Sequence, residues 1–325
     1  MPKVTSRVFA TSWRLSSSKI AVLTRKVIAL AVITSTLTTT ATSIFLTPAF
    51  AGDPFRTQKP HQIGDITEAA FKAIFEQGNY KKADEFLDKA IISEADEPLA
   101  YAMKASLAYT KSDKSKLEIY AQQTLSSAQK LVKKDKLRGN LYIAVGHFLD
   151  GAVILLREGT FKGAPSALKK LRKVYEYLEK AEAESPNDPE LNLIKGYMNL
   201  MLAVNLPFAD PEQAIKDLQT NAAPKHLVNR GIAVAYRDLK NYSKALKYVD
   251  LALKEKSENP ELQYLKAQIL RERAKQKKSQ AKMREAVSLF DQALAKKDQL
   301  PVSLVKQIER ERRKANKNLD TLVSN

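Results

Sequence analysis

Prolines at positions 189, 224 and 260 divide the second half of this chain into pieces of 35 and 36 residues, and each piece reads as two helical segments joined by a polar turn. In the stretch 225–260 (KHLVNRGIAVAYRDLKNYSKALKYVDLALKEKSENP), Leu227, Gly231, Val234, Ala235 and Asp238 fall at steps of three or four. Ala245, Val249 and Ala252 repeat that spacing after an Asn-Tyr-Ser turn. One hairpin of this size cannot bury its own apolar faces, so it must stack against copies of itself. The period therefore predicts an all-α fold. Composition agrees, since Ala, Leu and Lys are abundant and only 10 of 325 residues are glycine.

The residues of this stretch resemble the tetratricopeptide repeat (TPR), a helix–turn–helix unit of roughly 34 residues. Ala233, Tyr236, Tyr242, Ala245, Val249, Ala252 and Pro260 stand where that family has small, aromatic, aromatic, small, large, small and proline residues. The packing reason is plain: alanines let two helix backbones approach, and bulky residues fill the gaps between hairpins. The resemblance implies a right-handed α-solenoid of about six TPR-like hairpins with a C-terminal capping helix.

Taken in order, residues 52–65 (GDPFRTQKPHQIGD) read as an extended lead-in. The helical pattern starts near Thr67 and Glu68, and the turn at 75–83 (FEQGNYKKA) carries Gly78 for a positive φ, Tyr80 to pack back and Ala83 to open the second helix. A second unit at 99–134 is degenerate, because the small residues of its second helix are displaced. A third, at 137–185, has a strongly apolar first helix, expected to be buried, and a loop expected at 157–165 around Gly159, Gly163 and Pro165. A longer connection at 205–211 splits the fourth unit. The sixth spans 261–301, with its surplus residues placed between its helices at 271–282. The repeats thus occupy 66–300, and 301–325 reads as a polar cap and tail.

The formal charge is +18, and no cysteine is present, which excludes disulfides, thiolate metal sites and cysteine nucleophiles. Residues 1–51 read as an export signal: six Lys and Arg with no acid, the apolar run VIALAVI, and a small-x-small site at Ala49-Phe50-Ala51. Cleavage after Ala51 leaves +12 on the mature chain. An organellar transit peptide and an uncleaved anchor are the competing readings of the same segment. With its long basic leader and degenerate repeats, the layout resembles the exported tetratricopeptide proteins of cyanobacteria, which implies the periplasm or thylakoid lumen.

No catalytic, cofactor-binding or metal-ligating constellation is legible. His61, His147 and His226 have no second ligand at helical spacing, and there is no phosphate-cradling glycine loop. The reading is a non-catalytic scaffold for a protein or peptide, acting in assembly of envelope or thylakoid complexes. The candidate partner groove is Arg230, Val234 and Arg237, with Tyr197, Tyr264 and Arg271 at comparable places in neighbouring units. Pairing of Arg230 and Arg237 with nearby acids is the competing reading. The alternative function is binding of anionic lipid or cell-wall polymer through Lys275, Lys277, Lys278 and Lys282. Nucleic acid fits least, since few aromatics interleave the lysines.

Overall fold

A computed structural model describes residues 52–203 and 210–324; the expected export leader and most of the connection at 205–211 lie outside them. The described chain is helical without strands. Twelve helices follow one another: α1 (Asp65–Phe71, running on into a π turn at Lys72–Glu76), α2 (Tyr80–Ser93), α3 (Pro98–Thr110), α4 (Lys114–Leu131), α5 (Lys136–Glu184) and α6 (Pro189–Ala203). Then come α7 (Pro211–Asn221), α8 (Lys225–Asp238), α9 (Tyr242–Glu255), α10 (Pro260–Lys277), α11 (Gln280–Ala295) and α12 (Val302–Ser324). They pack in consecutive pairs.

Local chemistry sets the helix starts. Asn79, Asp113, Asp135 and Asn241 each accept the backbone N–H three residues on, and Asn259 accepts from both Glu261 and Leu262. Prolines 98, 211 and 260 sit in the first turn, where no N–H is needed. The first helix is capped from a distance: Glu94, beyond the end of α2, accepts from Ile66 N at 2.9 Å and Thr67 N at 2.9 Å. Gly78 adopts the expected positive φ of 49°.

The alanines at the repeat's small positions are fully buried, among them Ala83, Ala90, Ala233, Ala245, Ala252, Ala286 and Ala293. The degenerate second unit closes by another route. In α4 the stripe Leu117, Ala121, Thr124 and Ala128 faces inward, and Thr124 returns its hydroxyl to the Tyr120 carbonyl at 2.8 Å. A threonine with a satisfied hydroxyl thus serves as a small packing residue.

Two expected loops are shorter than the sequence suggests. The loop at 157–165 reduces to one residue, Gly159, at φ 77° and ψ 165°, where α5 breaks and its second arm folds back on the first. The return is visible in the Lys170–Asp150 ion pair and the 5.7 Å contact between the His147 and Tyr177 rings. The surplus at 271–282 is mostly helix: α10 runs to Lys277, stops at Lys278 in the left-handed region, and Ser279 caps α11. In both places helix continued because tertiary packing was available to it.

The chain also returns on itself. Lys256 pairs with Glu76 at 2.7 Å, Ser303 donates to the Thr110 carbonyl at 3.0 Å, and α2 lies against the turn at Lys297–Gln299. The first hairpin therefore packs against the last units. The α12 helix buries Ile308 and Ala315, rests Leu304, Val305, Leu319 and Leu322 against the core beside α11 and α10, and carries a polar run between them.

Replacing Gly159 with alanine forces a side chain into a backbone region that only glycine occupies easily. The variant should lose about 1–3 kcal/mol in urea unfolding, read as a lower midpoint at unchanged slope.

Candidate binding site: an apolar cavity beside a buried acid–guanidinium cluster

The expected lead-in is an ordered strap. Asp53, its carboxylate fully buried, accepts the backbone N–H of Phe55 at 2.9 Å, of Arg56 at 3.2 Å and of His61 at 3.0 Å, closing residues 53–61 into a compact turn. That turn presents Phe55 and Arg56 to the helices. Ile63 is fully buried, and His61 bonds through Nδ1 to Asp135, the cap of α5. The strap is part of the core.

Arg56 enters a cluster built from helix starts. Its Nε and Nη2 grip the two oxygens of Asp188 at 2.7 and 2.8 Å, Nη2 also reaches Glu190 at 3.0 Å, and Nη1 returns to Asp53 at 2.8 Å. Glu190 is shared with Arg138, whose Nε lies 3.1 Å away. Arg138 in turn grips both oxygens of Glu97 at 2.8 and 2.9 Å. The Tyr142 hydroxyl donates to the remaining Glu190 oxygen at 2.6 Å. Burial acts to lower the pKa of both arginines, but Glu190 and its companion acids hold them above the ordinary value. Burial and Glu190 raise the Tyr142 hydroxyl, so it stays protonated and donating.

The cluster combines four carboxylates with two guanidiniums. Part of the anionic excess of two is offset by helix ends. Glu97 accepts from Leu99 N at the start of α3, and Asp188 from Leu191 N at the start of α6, both at 2.9 Å. Two helix N-termini supply about one positive unit between them, so roughly one negative unit is left over.

Directly above lies a cavity of about 190 Å³. Its wall comes from the first helix of successive pairs: Phe71 of α1 and Phe75 of its π turn, Ala102 and Ser106 of α3, Tyr142 and Phe148 of α5. Tyr197, Met198 and Met201 of α6 and Leu227 of α8 complete it. The strap contributes Phe55, set edge-on to Phe71 with ring centroids 4.9 Å apart. Three links tie the cavity to the cluster beneath: Phe55 precedes Arg56, Tyr142 bonds Glu190, and Leu99 in the wall bonds Glu97.

Of the residues singled out from sequence, all but Tyr197 sit away from the cavity. Arg230 is buried and pairs with Glu261 at 2.6 Å. Arg237 bonds Asp238 and Gln268, and Arg271 bonds Glu272 and Glu311 of α12. Tyr264 donates to Glu311, and Tyr197 to the Leu227 carbonyl beside Arg230. Val234 is half-buried against the core. Of the candidate groove, Tyr197 alone reaches the cavity. An Arg230→Glu variant would set two buried carboxylates together, so it tests stability rather than partner binding. Of the basic residues, Lys277 and Lys278 are exposed at the α10–α11 turn, while Lys275 and Lys282 pair with Glu272 and Glu285.

The Arg230–Glu261 pair belongs to the seam where the first hairpin meets the later units, since the Tyr80 hydroxyl also donates to Glu261. Burial, outweighing Arg230 and Tyr80, pushes the Glu261 carboxyl up to about 7. Burial and the nearby Lys256 push His226 down to about 4, with Glu76 and the Phe75 backbone opposing.

No protein-family model matches the chain, and no curated protein matches it either.

Two outcomes follow from these charges. An Arg138→Met variant leaves Glu97 and Glu190 buried with less compensation and should cost about 3–5 kcal/mol in urea unfolding. The seam predicts a pH signature. Between the ordinary carboxyl value of 4.5 and about 7 the folded chain holds a proton on Glu261 that the unfolded chain has released. Its contribution is therefore complete below 4.5 and is lost as pH rises through 7. Urea midpoints of Glu261→Gln should gain on those of the parent protein between pH 5 and pH 8.

Proposed function

We propose that the helix pairs form a tetratricopeptide-like right-handed superhelical array and that the protein is a non-catalytic scaffold. It seats a partner protein on the first helices of its repeats, in an exported compartment such as the periplasm or thylakoid lumen. One observation carries this reading: the cavity wall draws on α1, α3, α5, α6 and α8, the leading helices of successive pairs. In a stacked array those helices line the inner face, where extended or helical segments dock. The strap offers an internal example, a non-helical segment laid against the same helices with an aromatic side chain inserted. Methionines and aromatics supply an adaptable apolar surface for such a guest.

The rival reading, binding of anionic lipid or wall polymer, draws on fewer free cations than the sequence offers, because Lys275 and Lys282 already have acidic partners. Surface charge of that kind is also screened at physiological salt.

A photo-crosslinking residue at Met201, introduced in the source cell, tests the scaffold reading. The expected result is a discrete protein adduct that disappears when Ala102→Phe fills the cavity, while the helical circular dichroism is unchanged. Adducts spread over many proteins, or one indifferent to Ala102→Phe, would overturn it.

A further inference from the structure

Resting on the cavity as the partner's seat, we infer that its guest is an aromatic side chain flanked by a basic residue, carried on an extended segment of the partner. The cavity accepts the ring, and the anionic excess beneath it selects the positive neighbour.

Size supports the first half. A cavity of about 150 Å³ walled by aliphatic and aromatic side chains stays dry and admits benzene. This one, at about 190 Å³, has room for one aromatic ring but not for a drug-sized ligand. Its wall offers the edges and faces of Phe71, Phe75, Tyr142, Phe148 and Tyr197, and rings gain from edge-to-face contact beyond simple burial. The Phe55–Phe71 pair shows that geometry already in place at one end of the cavity.

Charge supports the second half. The chain as a whole is strongly basic, and a field of that sign repels cationic guests. The cavity is an exception. Below it, Asp53, Glu97, Asp188 and Glu190 outnumber Arg56 and Arg138, and the two helix N-termini cancel only about half of the excess. These charges are buried, so water and salt screen them weakly, and their field reaches the cavity through the low-dielectric wall. The strap obeys the same pairing: Phe55 goes to the apolar wall and the next residue, Arg56, to the acids. Aromatic faces add attraction for a cation lying close to them.

The test uses three capped dipeptides, acetyl-Phe-Arg-amide, acetyl-Phe-Gln-amide and acetyl-Phe-Glu-amide, titrated into the protein beginning at Gly52. The Met198 and Met201 methyl resonances report the site. Binding should weaken in the order Arg, Gln, Glu, by about tenfold across the series, and Ala102→Phe should abolish all three shifts. Ser106→Phe serves if Ala102→Phe fails to fold. Equal binding of the three overturns the charge selection while leaving the cavity as a seat for aromatic side chains. No methyl shift with any dipeptide overturns the inference as a whole, whereas the scaffold reading still stands or falls on the Met201 adduct.

Discussion

Glu190 ties the strap and α5 to the start of α6. One of its oxygens receives Arg56 from the strap and Arg138 from α5, and the other receives the Tyr142 hydroxyl. Removing any one partner leaves charge buried without its complement, which is far more costly than never having buried it. The arrangement also carries specificity. Two bidentate arginine grips, on Asp188 and Glu97, fix the relative positions of three segments more narrowly than apolar contacts would. The cavity owes its shape to this: Phe55 and Tyr142 are held in its wall by the bonds that Arg56 and Glu190 make beneath it.

A linear stack of hairpins leaves its first unit with one neighbour. Here the first unit has two, because α2 and the π turn before it meet α8, α10 and the turn after α11. Closure converts polar positions that an open groove would present to solvent into internal contacts, as with Arg230 and Glu261. It also places ionisable groups where burial shifts them, in opposite directions for Glu261 and His226. As pH falls from 6.5 toward 4, the unfolded chain protonates His226 before the folded one does, which withdraws stability on the acid side. Glu261 gives up its contribution over nearly the same interval as pH rises from 4.5 to about 7, so between about 4.5 and 6.5 the two groups largely offset one another.

The fold was legible in the sequence where spacing is local. Ala233, Ala245 and Ala252 announce close helix packing by their period, and Gly78 announces a turn by its chemistry. Helices α5 and α10 ran past their expected ends because a lone glycine or lysine suffices to reverse a chain once both arms have somewhere to pack. The site was not legible, and the reason is distance along the chain. Asp53-Pro54-Phe55-Arg56 has the composition of a linker, and nothing near it says that its arginine belongs to Asp188. Glu97 before Pro98, and Asp188 and Glu190 either side of Pro189, have the composition of ordinary helix starts, and Glu97 and Asp188 do cap theirs. For Arg230 and Arg237 the sequence left groove binding and pairing with nearby acids both open, and in the structure they pair with Glu261 and Asp238.

The strap has a consequence for how the protein is made. Arg56 and Asp188 are 132 positions apart, so the earliest part of the strap leaves the ribosome long before its receptor exists. At the usual 5–20 residues per second, the interval is roughly 7 to 26 s. Throughout it, Arg56 has neither Asp188 nor Glu190 to bind, and local helix formation proceeds without that grip. The strap can therefore take its place only once residues 188–190 have been made, although the chain reaches it 132 positions earlier.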